Sequence, residues 1–436
     1  MKYHIWTEGC QMNVADSQRL ASALESLGYE ESDVPDNADV VVLNTCMVRQ
    51  SAEDRALGRL GSLKPMKMKN PDMIIGLMGC MVGNGDTSKL RKKLKMVDVF
   101  APPSNPKPIV DYIIGRNIAN EEREHSEAAF AWKPGEILLP KNQRQTAVSA
   151  YVPIVYGCAH ACSYCIIPYK RGAERSRDPK EIMDHIRSLA DQGVKEVTLL
   201  GQIVDRYAHD NPDYPSLPQL LRMANEIPGI ERIRFLTSHP NWMTDELLET
   251  VRDLPKVMNH IEVPAQSGND KVLETMRRGY TDAQYRDIIA RIRDIIPNVS
   301  IGTDIIVGFC GETEEEFEDT VKQLSDLKLN VVHLARYSPR KGTLSERTMP
   351  DDVSEEEKWR RFRVIEKLQE GIAEELHAKL LGQTVKVLFE EKKQGRWIGR
   401  TENMDLVFVD SDRDLLGQIV PVKITWTGPW TLIGEV

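Results

Sequence analysis

Cys158, Cys162 and Cys165 form a C-x3-C-x2-C cluster within Gly-Cys-Ala-His-Ala-Cys-Ser-Tyr-Cys165. Three thiols packed this closely along the chain suit one metal centre. Iron–sulfur cubes ordinarily take four cysteines. Three ligands therefore leave one iron open to a small molecule, and chemistry belongs at that iron. A zinc ribbon would show two C-x2-C pairs instead. The bland alternative is three unrelated structural thiols, and the spacing argues against it.

A second trio is dispersed. Segments 3–7, 40–44 and 74–78 read as short buried strands, with helical stretches between them. The first helix is expected from Asp16 to Leu27, with Asp16 or Ser17 as its cap and Gly28 as its stop. Alternating strands and helices imply a parallel, open α/β sheet. Each strand is followed at once by a cysteine: Cys10, Cys46 and Cys80. The carboxyl ends of parallel strands share one edge, where open sheets place their sites. Three cysteines 36 and 34 positions apart can thus converge and hold a second cluster. Three buried core cysteines are the alternative.

Bulk composition narrows the class. With 436 residues, 41% hydrophobic and 28% charged, the chain has the make-up of a soluble globular protein of about three domains. Its first ten residues lack the apolar core of a signal peptide, and no run is long enough to span a bilayer. Seven cysteines without an export signal are expected in a reducing compartment, the cytoplasm, as metal ligands rather than disulfides. The net charge of −9 repels nucleic acid, so any RNA must be held by a local basic surface.

Segment 117–147 is polar and poorly periodic and reads as a connection between an N-terminal domain, 1–116, and a central one, 148–381. The central domain offers six strand candidates, 152–156, 196–200, 232–236, 260–263, 300–307 and 331–337, separated by helices such as 179–192, 282–296 and 314–327. Repeated βα units suggest a barrel or a partial barrel, whose catalytic face is the carboxyl end of its strands. The polar content sits there: the cysteine trio, Gly201-Gln202, Ser238-His239, Gln266-Ser267-Gly268, Gly308 and Ser338. Lys170, Arg171, Arg175 and Arg177 make a local basic patch, expected to bind RNA phosphates or to hold a carboxylate, with a solvated charged turn as the alternative. His160, His239 and the odd seventh thiol, Cys310, read as surface or structural residues.

Ser354-Glu-Glu-Glu357 matches a capping box. The helix after it carries Trp359, Phe362, Ile365, Ile372, Leu376 and Leu380 at helical spacing and ends at Gly382. Residues 382–436 alternate strands and turns, as in a small antiparallel barrel. There Lys392, Lys393, Arg396 and Arg400 bunch beside Trp397, either an RNA grip by phosphate contact and stacking or a solvated hairpin.

The contiguous trio resembles the signature of the radical S-adenosylmethionine (SAM) superfamily. Two cysteine trios followed by a small barrel resemble, over nearly the whole chain, its methylthiotransferase family. The matching stretches are Gly-Cys-Gln-Met-Asn13, Leu-Asn-Thr-Cys46, the Cys158–Cys165 loop, Ile-Pro-Tyr-Lys-Arg-Gly172, Glu-Arg-Ser-Arg177, Leu-Leu-Gly-Gln202, Thr-Ser-His-Pro240, Gln-Ser-Gly268 and Gly-Arg-Thr-Glu-Asn403. The Thr-Ser-His-Pro and Gly-Arg-Thr-Glu-Asn runs favour the tRNA-modifying branch. The resemblance implies two [4Fe-4S] clusters, one on Cys158, Cys162 and Cys165 with SAM on its open iron, and an auxiliary one on Cys10, Cys46 and Cys80. It implies SAM in two roles, methyl donor and radical source. Tyr164 would lie against its adenine, and Gly201, Gln202, Ser238, Gln266 and Gly308 would help bind it.

The terminal barrel would be a TRAM domain engaging a tRNA anticodon stem-loop, and the product a methylthio group at C2 of an N6-prenylated adenosine at tRNA position 37. A flavodoxin or ferredoxin would supply electrons to a monomer with no membrane partner. The competing expectations are the same chemistry on a ribosomal-protein aspartate, and a non-catalytic iron–sulfur RNA-binding protein. Two departures stand out. The family usually has Pro where Cys310 stands, and Asn-Val-Asn where Ile203-Val204-Asp205 follows Gln202.

Overall fold

The computed structural model describes residues 1–48, 50–118, 138–144 and 146–436. Most of the expected 117–147 connection lies outside the described residues. Two compact units emerge, one of Met1–Gln145, Tyr151–His160 and Cys165–Gln192, the other of Thr146–Ala150, Ala161–Tyr164 and Gly193–Val436. Among the described residues no helix is long and apolar enough to cross a membrane.

In the first unit the chain runs β1 (Lys2–Thr7), α1 (Gln11–Ser26), β2 (Glu30–Glu31), β3 (Val40–Thr45), α2 (Gln50–Lys69), β4 (Ile74–Gly79), α3 (Ser88–Lys93), β5 (Val99–Ala101) and α4 (Lys107–Ile118). The strands are all parallel, in the order β2-β1-β3-β4-β5. Strands β3 and β4 are buried along their whole length, which explains their near-continuous apolar sequence. Val40 and Val42 face a core with Leu20, Leu24, Ile109 and Ile113. Val41 and Leu43 face the opposite one, with Ala56, Leu60 and Leu63. Helices thus cover both faces of the expected parallel, open sheet. Each fully buried Leu or Ile contributes about 1.5–3 kcal/mol to folding of the sheet and its helices.

Helix α1 begins five residues earlier than expected. Its N-cap is Cys10, and Asp16 and Ser17 lie inside it, buried. The cap signal was a false one, because both side chains serve long-range contacts rather than the helix end. The expected strand 152–156 is two strands, β6 (Ser149–Pro153) and β7 (Val155–Tyr156), and β7 pairs antiparallel with β8 (Arg175–Ser176). Between them lies α5 (Ile167–Arg171), and α6 (Pro179–Asp191) follows under an Asp178 cap that accepts from the Lys180 and Glu181 amides.

The second unit continues with β9 (Glu196–Leu200), α7 (Leu217–Asn225), β10 (Arg232–Leu236), α8 (Asp245–Asp253), β11 (His260–Glu262), α9 (Asp270–Thr275), α10 (Asp282–Ile295), β12 (Ser300–Val307), α11 (Glu314–Leu327), β13 (Val331–Arg336), α12 (Leu344–Thr348) and α13 (Glu355–Ala378). Strands β9 and β10 pair in parallel, as do β11, β12 and β13, and a parallel bridge between Ile233 and Val257 links the two groups. Parallel strands with crossover helices make the expected partial barrel.

Helix α13 departs from its expected apolar stripe. Ile365 and Ile372 are buried, but Trp359 is 43% exposed, while Lys358 and Arg361 are buried. Lys358 pairs with Asp351 at 2.6 Å, and Arg361 with Glu312 at 2.8 Å. Buried charges persist only when paired in this way.

The last 53 residues fold as a closed barrel, β14 (Thr384–Lys393), β15 (Arg396–Arg400), β16 (Leu406–Val409), β17 (Ile419–Thr427) and β18 (Leu432–Glu435), in the order β14-β15-β16-β18-β17. The pairing is antiparallel except between β16 and β18, which run parallel, a departure from the wholly antiparallel expectation. Two arginines of β10 fasten the barrel. Arg232 donates to the Arg400 and Lys386 carbonyls, and Arg234 to those of Glu402 and Thr401. The Gly-Arg-Thr-Glu-Asn403 turn is therefore a clasp for two buried guanidinium groups.

Candidate functional site

In the first unit the register of β1, β3 and β4 sets Thr7 opposite Asn44 and Thr45 opposite Gly79. Their carboxyl ends lie along one edge; Cys46 and Cys80 follow at once, and Cys10 follows after Glu8 and Gly9. The three converge. A Cβ placed on Gly9 would come within 2.8 Å of the Cys46 Cβ, and the Cys80 amide donates to the Thr45 carbonyl at 2.9 Å. A buried polar network ties the strand ends together. Asn13 Nδ2 donates to Asn44 Oδ1 at 2.8 Å and to the Thr45 carbonyl at 3.1 Å, while Asn44 Nδ2 donates to the Asn13 carbonyl and Ser17 Oγ. Asn13 Oδ1 also accepts from the Cys10 amide and thiol at 3.4 Å each.

Arg171, expected to face RNA, is instead buried in this unit. Its side chain is 2% exposed, and Nη1 donates to Ser104 Oγ at 3.1 Å and lies 3.8 Å from Asp16. Its Nε and Nη2 are buried without an oxygen acceptor, and the guanidinium faces the Cys80 thiol. Burial pushes that thiol up to about 11, Arg171 opposes the rise, and the neighbouring Cys46 and Cys10 add to it.

Around Cys158 the backbone is shaped by Gly157, at φ +70°, where a side chain would strike the Ala173 carbonyl. The Cys158 amide donates to Gly172, and the His160 amide points at Cys158 Sγ at 3.4 Å. Arg177 is also turned inward, donating to the Pro153 carbonyl at 2.7 Å, so it too leaves the expected basic patch. Lys170 is half-buried and Arg175 exposed, its guanidinium 5.7 Å above the Tyr156 ring.

In the second unit the Cys162 sulfur accepts from Arg278 Nη1 at 3.3 Å. Half-buried Tyr164 packs edge-on against Phe309, 6.3 Å away. Gly201, Ser238, Gln266 and Gly308 all follow carboxyl strand ends, as expected. Gly201 pairs with the Leu236 carbonyl through its amide, and Gln202 is half-buried. The Ser238 hydroxyl is buried without a partner. Gln266 takes φ +77°, its amide donating to the Asp304 carbonyl. The Gly308 amide donates to Glu312 Oε2 at 2.6 Å. Asp205, in the departure from the family pattern, accepts from the His239 amide at 3.0 Å and so props the strand end. His239 is buried against Tyr280, and Cys310 against Phe309 and Tyr337, structural placements for both.

The expected stacking residue of the terminal barrel is a core residue. Trp397 is 6% exposed and packs with Val387, Phe389 and Val409. Arg396 is paired with Asp410 and Arg400 with Glu390, while Lys392 and Lys393 remain exposed. The barrel's exposed aromatics are Trp426 and Trp430, which alternation alone did not distinguish from core positions.

Among the described residues no three Cys, His, Asp or Glu side chains surround one metal ion. In a four-iron cube each cysteine binds a different iron, so its thiolates lie further apart than those around a single ion. The donor set fits such a cube: three thiols per trio, backbone N–H groups aimed at Cys46 and Cys158 sulfur, and a buried guanidinium against Cys80 and another against Cys162.

Residues 152–324 match the family model of the radical SAM superfamily, residues 2–102 that of uncharacterized protein family UPF0004, and residues 378–436 that of the TRAM domain. Among solved structures, the radical SAM methyltransferase TsrM from Kitasatospora setae, with cobalamin and a [4Fe-4S] cluster bound, matches with a TM-score of 0.57 at 13% identity, over 79% of this chain and 76% of that one. It shares the fold. The protein is thus an enzyme of the radical SAM class. A tRNA-2-methylthio-N(6)-dimethylallyladenosine synthase of Chloroflexus aurantiacus is 47% identical over 99% of this chain and 91% of its own length. Those of Roseiflexus and Dictyoglomus thermophilum are 46% and 42% identical over 99% and 100% of this chain and 89% and 98% of their own lengths. The chain belongs to this family of tRNA-2-methylthio-N(6)-dimethylallyladenosine synthases.

Proposed function

We propose that this enzyme replaces the C2 hydrogen of an N6-prenylated adenosine, at tRNA position 37, with a methylthio group. The observation that carries the reading is the convergence of Cys10, Cys46 and Cys80 at one sheet edge, in a chain that also holds the Cys158–Cys165 loop. A radical enzyme that moved only carbon would need the loop alone. Cys158, Cys162 and Cys165 would hold the SAM cluster, and Cys10, Cys46 and Cys80 the auxiliary one. When bound, the two clusters and SAM supply one-electron chemistry and sulfur for an aromatic C–H that acids and bases leave untouched.

The chain's own residues bind and orient. Tyr164 offers an aromatic face for the SAM adenine, and Ser238 an unpaired hydroxyl. Gly201, Gln202, Gln266 and Gly308 shape the strand-end rim. Lys170, Arg175, Lys392 and Lys393 hold phosphates of the anticodon stem-loop, and Trp426 and Trp430 offer stacking faces. A small one-electron carrier such as flavodoxin or ferredoxin supplies the reductant. In domain terms, 1–116 carries the auxiliary centre, 148–381 the SAM centre and 382–436 the RNA grip, in a cytoplasmic monomer.

The test is digestion of tRNA from cells lacking the gene. Methylthiolated adenosine should vanish and its unmodified prenylated precursor accumulate. Unchanged tRNA together with a ribosomal protein lighter by one methylthio group would move the activity to the aspartate reading.

A further inference from the structure

Arg278 is the most deeply committed charged side chain near either trio that the reaction chemistry leaves unused. Helix α9 ends in a reversed turn. The Arg277 amide donates to the Glu274 carbonyl and the Arg278 amide to that of Leu273, both at 2.9 Å, with Arg277 at φ +58°. This closure turns the Arg278 side chain into the unit, where it is 5% exposed. Every nitrogen of the guanidinium has a fixed neighbour. Nε donates to the Tyr280 hydroxyl at 3.0 Å, Nη2 to the Pro264 carbonyl at 3.3 Å and Nη1 to Cys162 Sγ at 3.3 Å. The Tyr280 hydroxyl is itself locked, its single proton shared between the Ala265 carbonyl at 2.7 Å and the Pro264 carbonyl at 3.0 Å.

None of these partners is a carboxylate. Withdrawing an arginine from water costs several kcal/mol unless its donors find partners, and one arm of this fork ends on the Cys162 sulfur. The same helix end also fastens the segment bearing that sulfur. The Ser163 amide donates to the Met276 carbonyl at 3.0 Å, and Ser163 Oγ to that of Thr275 at 2.8 Å. Backbone ties and guanidinium therefore reach the cysteine loop from one rigid support.

We propose that Arg278 is a positioning residue for the SAM cluster, donating a charge-assisted hydrogen bond to the Cys162 thiolate that holds the ligand and raises the reduction potential of the cluster. The proposal rests on the reading of Cys162 as a cluster ligand. Hydrogen bonds to sulfur and nearby positive charge both favour the reduced, more negative cluster.

The experiment uses the full chain with Cys10, Cys46 and Cys80 replaced by Ala, so that reconstituted iron reports one cluster. Midpoint potentials are read by EPR-monitored titration in this parent and with Arg278→Gln or Arg278→Lys added. The Gln variant should shift the reduction equilibrium at least tenfold toward the oxidised form, about 59 mV for one electron. The Lys variant, which keeps the charge and loses the fork, should shift it less, in the same direction. Where the Gln variant holds no iron, the Lys variant alone decides. Full iron with unchanged potentials overturns the proposal. A parent that binds no iron overturns the cluster reading itself, a distinct outcome.

Discussion

The two cysteine trios are built by opposite means. Cys158, Cys162 and Cys165 lie within eight residues of one loop, which Gly157 shapes at its start and Ser163 and Arg278 pin at its middle. Cys10, Cys46 and Cys80 are assembled by a whole sheet. Their meeting depends on the β1, β3 and β4 register and on the Asn13–Asn44–Thr45 network that stitches the strand ends. The local trio leans on distant sequence where Arg278 and the Thr275–Met276 turn hold Cys162 and Ser163. An assembled one inherits every weakness of the sheet beneath it.

The sharpest way to break the comparison is at the thiols. Cys162→Ala should abolish reductive SAM cleavage, read as 5′-deoxyadenosine, and leave the iron of the other trio in place. Cys46→Ala should keep part of the cleavage and lose sulfur insertion. Equal loss of both in a folded, iron-loaded Cys46→Ala protein would erase the division of roles.

Next in size is Arg171→Met. Asp16 would be left buried with only the Ser104 amide and hydroxyl and the nearby Arg19 to offset it, at a cost of about 3 kcal/mol in urea denaturation. The same variant should lower iron at the strand-end trio alone.

Glu262, in the second unit, gives a pH signature. Burial alone would raise its carboxyl, but hydrogen bonds from His260 at 3.0 Å and His333 at 3.2 Å outweigh burial and hold it down, to about 2. Its folded value lies below the unfolded 4.5, so its stabilisation is complete above 4.5 and is lost as pH falls toward 2. Glu262→Gln should flatten this acid limb, by roughly 3 kcal/mol at most. An unchanged acid limb would remove the carboxylate from the stability of that unit.

The smallest effects come from the glycines before two cysteines. Gly79 sits at φ +98° with the Thr45 carbonyl where a Cβ would go, and Gly157 is equally crowded. Ala at either should cost roughly 1–3 kcal/mol. Iron counting should show Gly79→Ala weakening only the strand-end centre and Gly157→Ala only the loop centre. Crossed effects would mean that the two trios are not independent.

The same contrast explains what the sequence disclosed. Apolar runs located β3, β4, β9, β10 and β12 to within a residue, because strands buried on both faces leave no other pattern. The loop trio was legible from spacing, and the dispersed trio from the strand–cysteine rhythm. Residues whose partners lie far away in sequence were not legible. Asp16 looked like a helix cap and is a buried partner of Arg171. Arg171, Arg177 and Trp397 had the chemistry of an RNA surface and are held inside. Arg278 carried no local signal, since its meaning comes from Cys162, 116 positions earlier. Arg361 is buried in α13 for the same reason, its partner Glu312 lying 49 positions earlier.

Incubating the reduced, iron-reconstituted enzyme with SAM and a prenylated anticodon stem-loop, and reading the RNA by mass spectrometry, addresses the shared purpose of the two trios directly. The adenine should gain one sulfur, one carbon and two hydrogens, with 5′-deoxyadenosine released alongside. Abundant 5′-deoxyadenosine with unaltered RNA, from protein whose iron fills both trios, would contradict it.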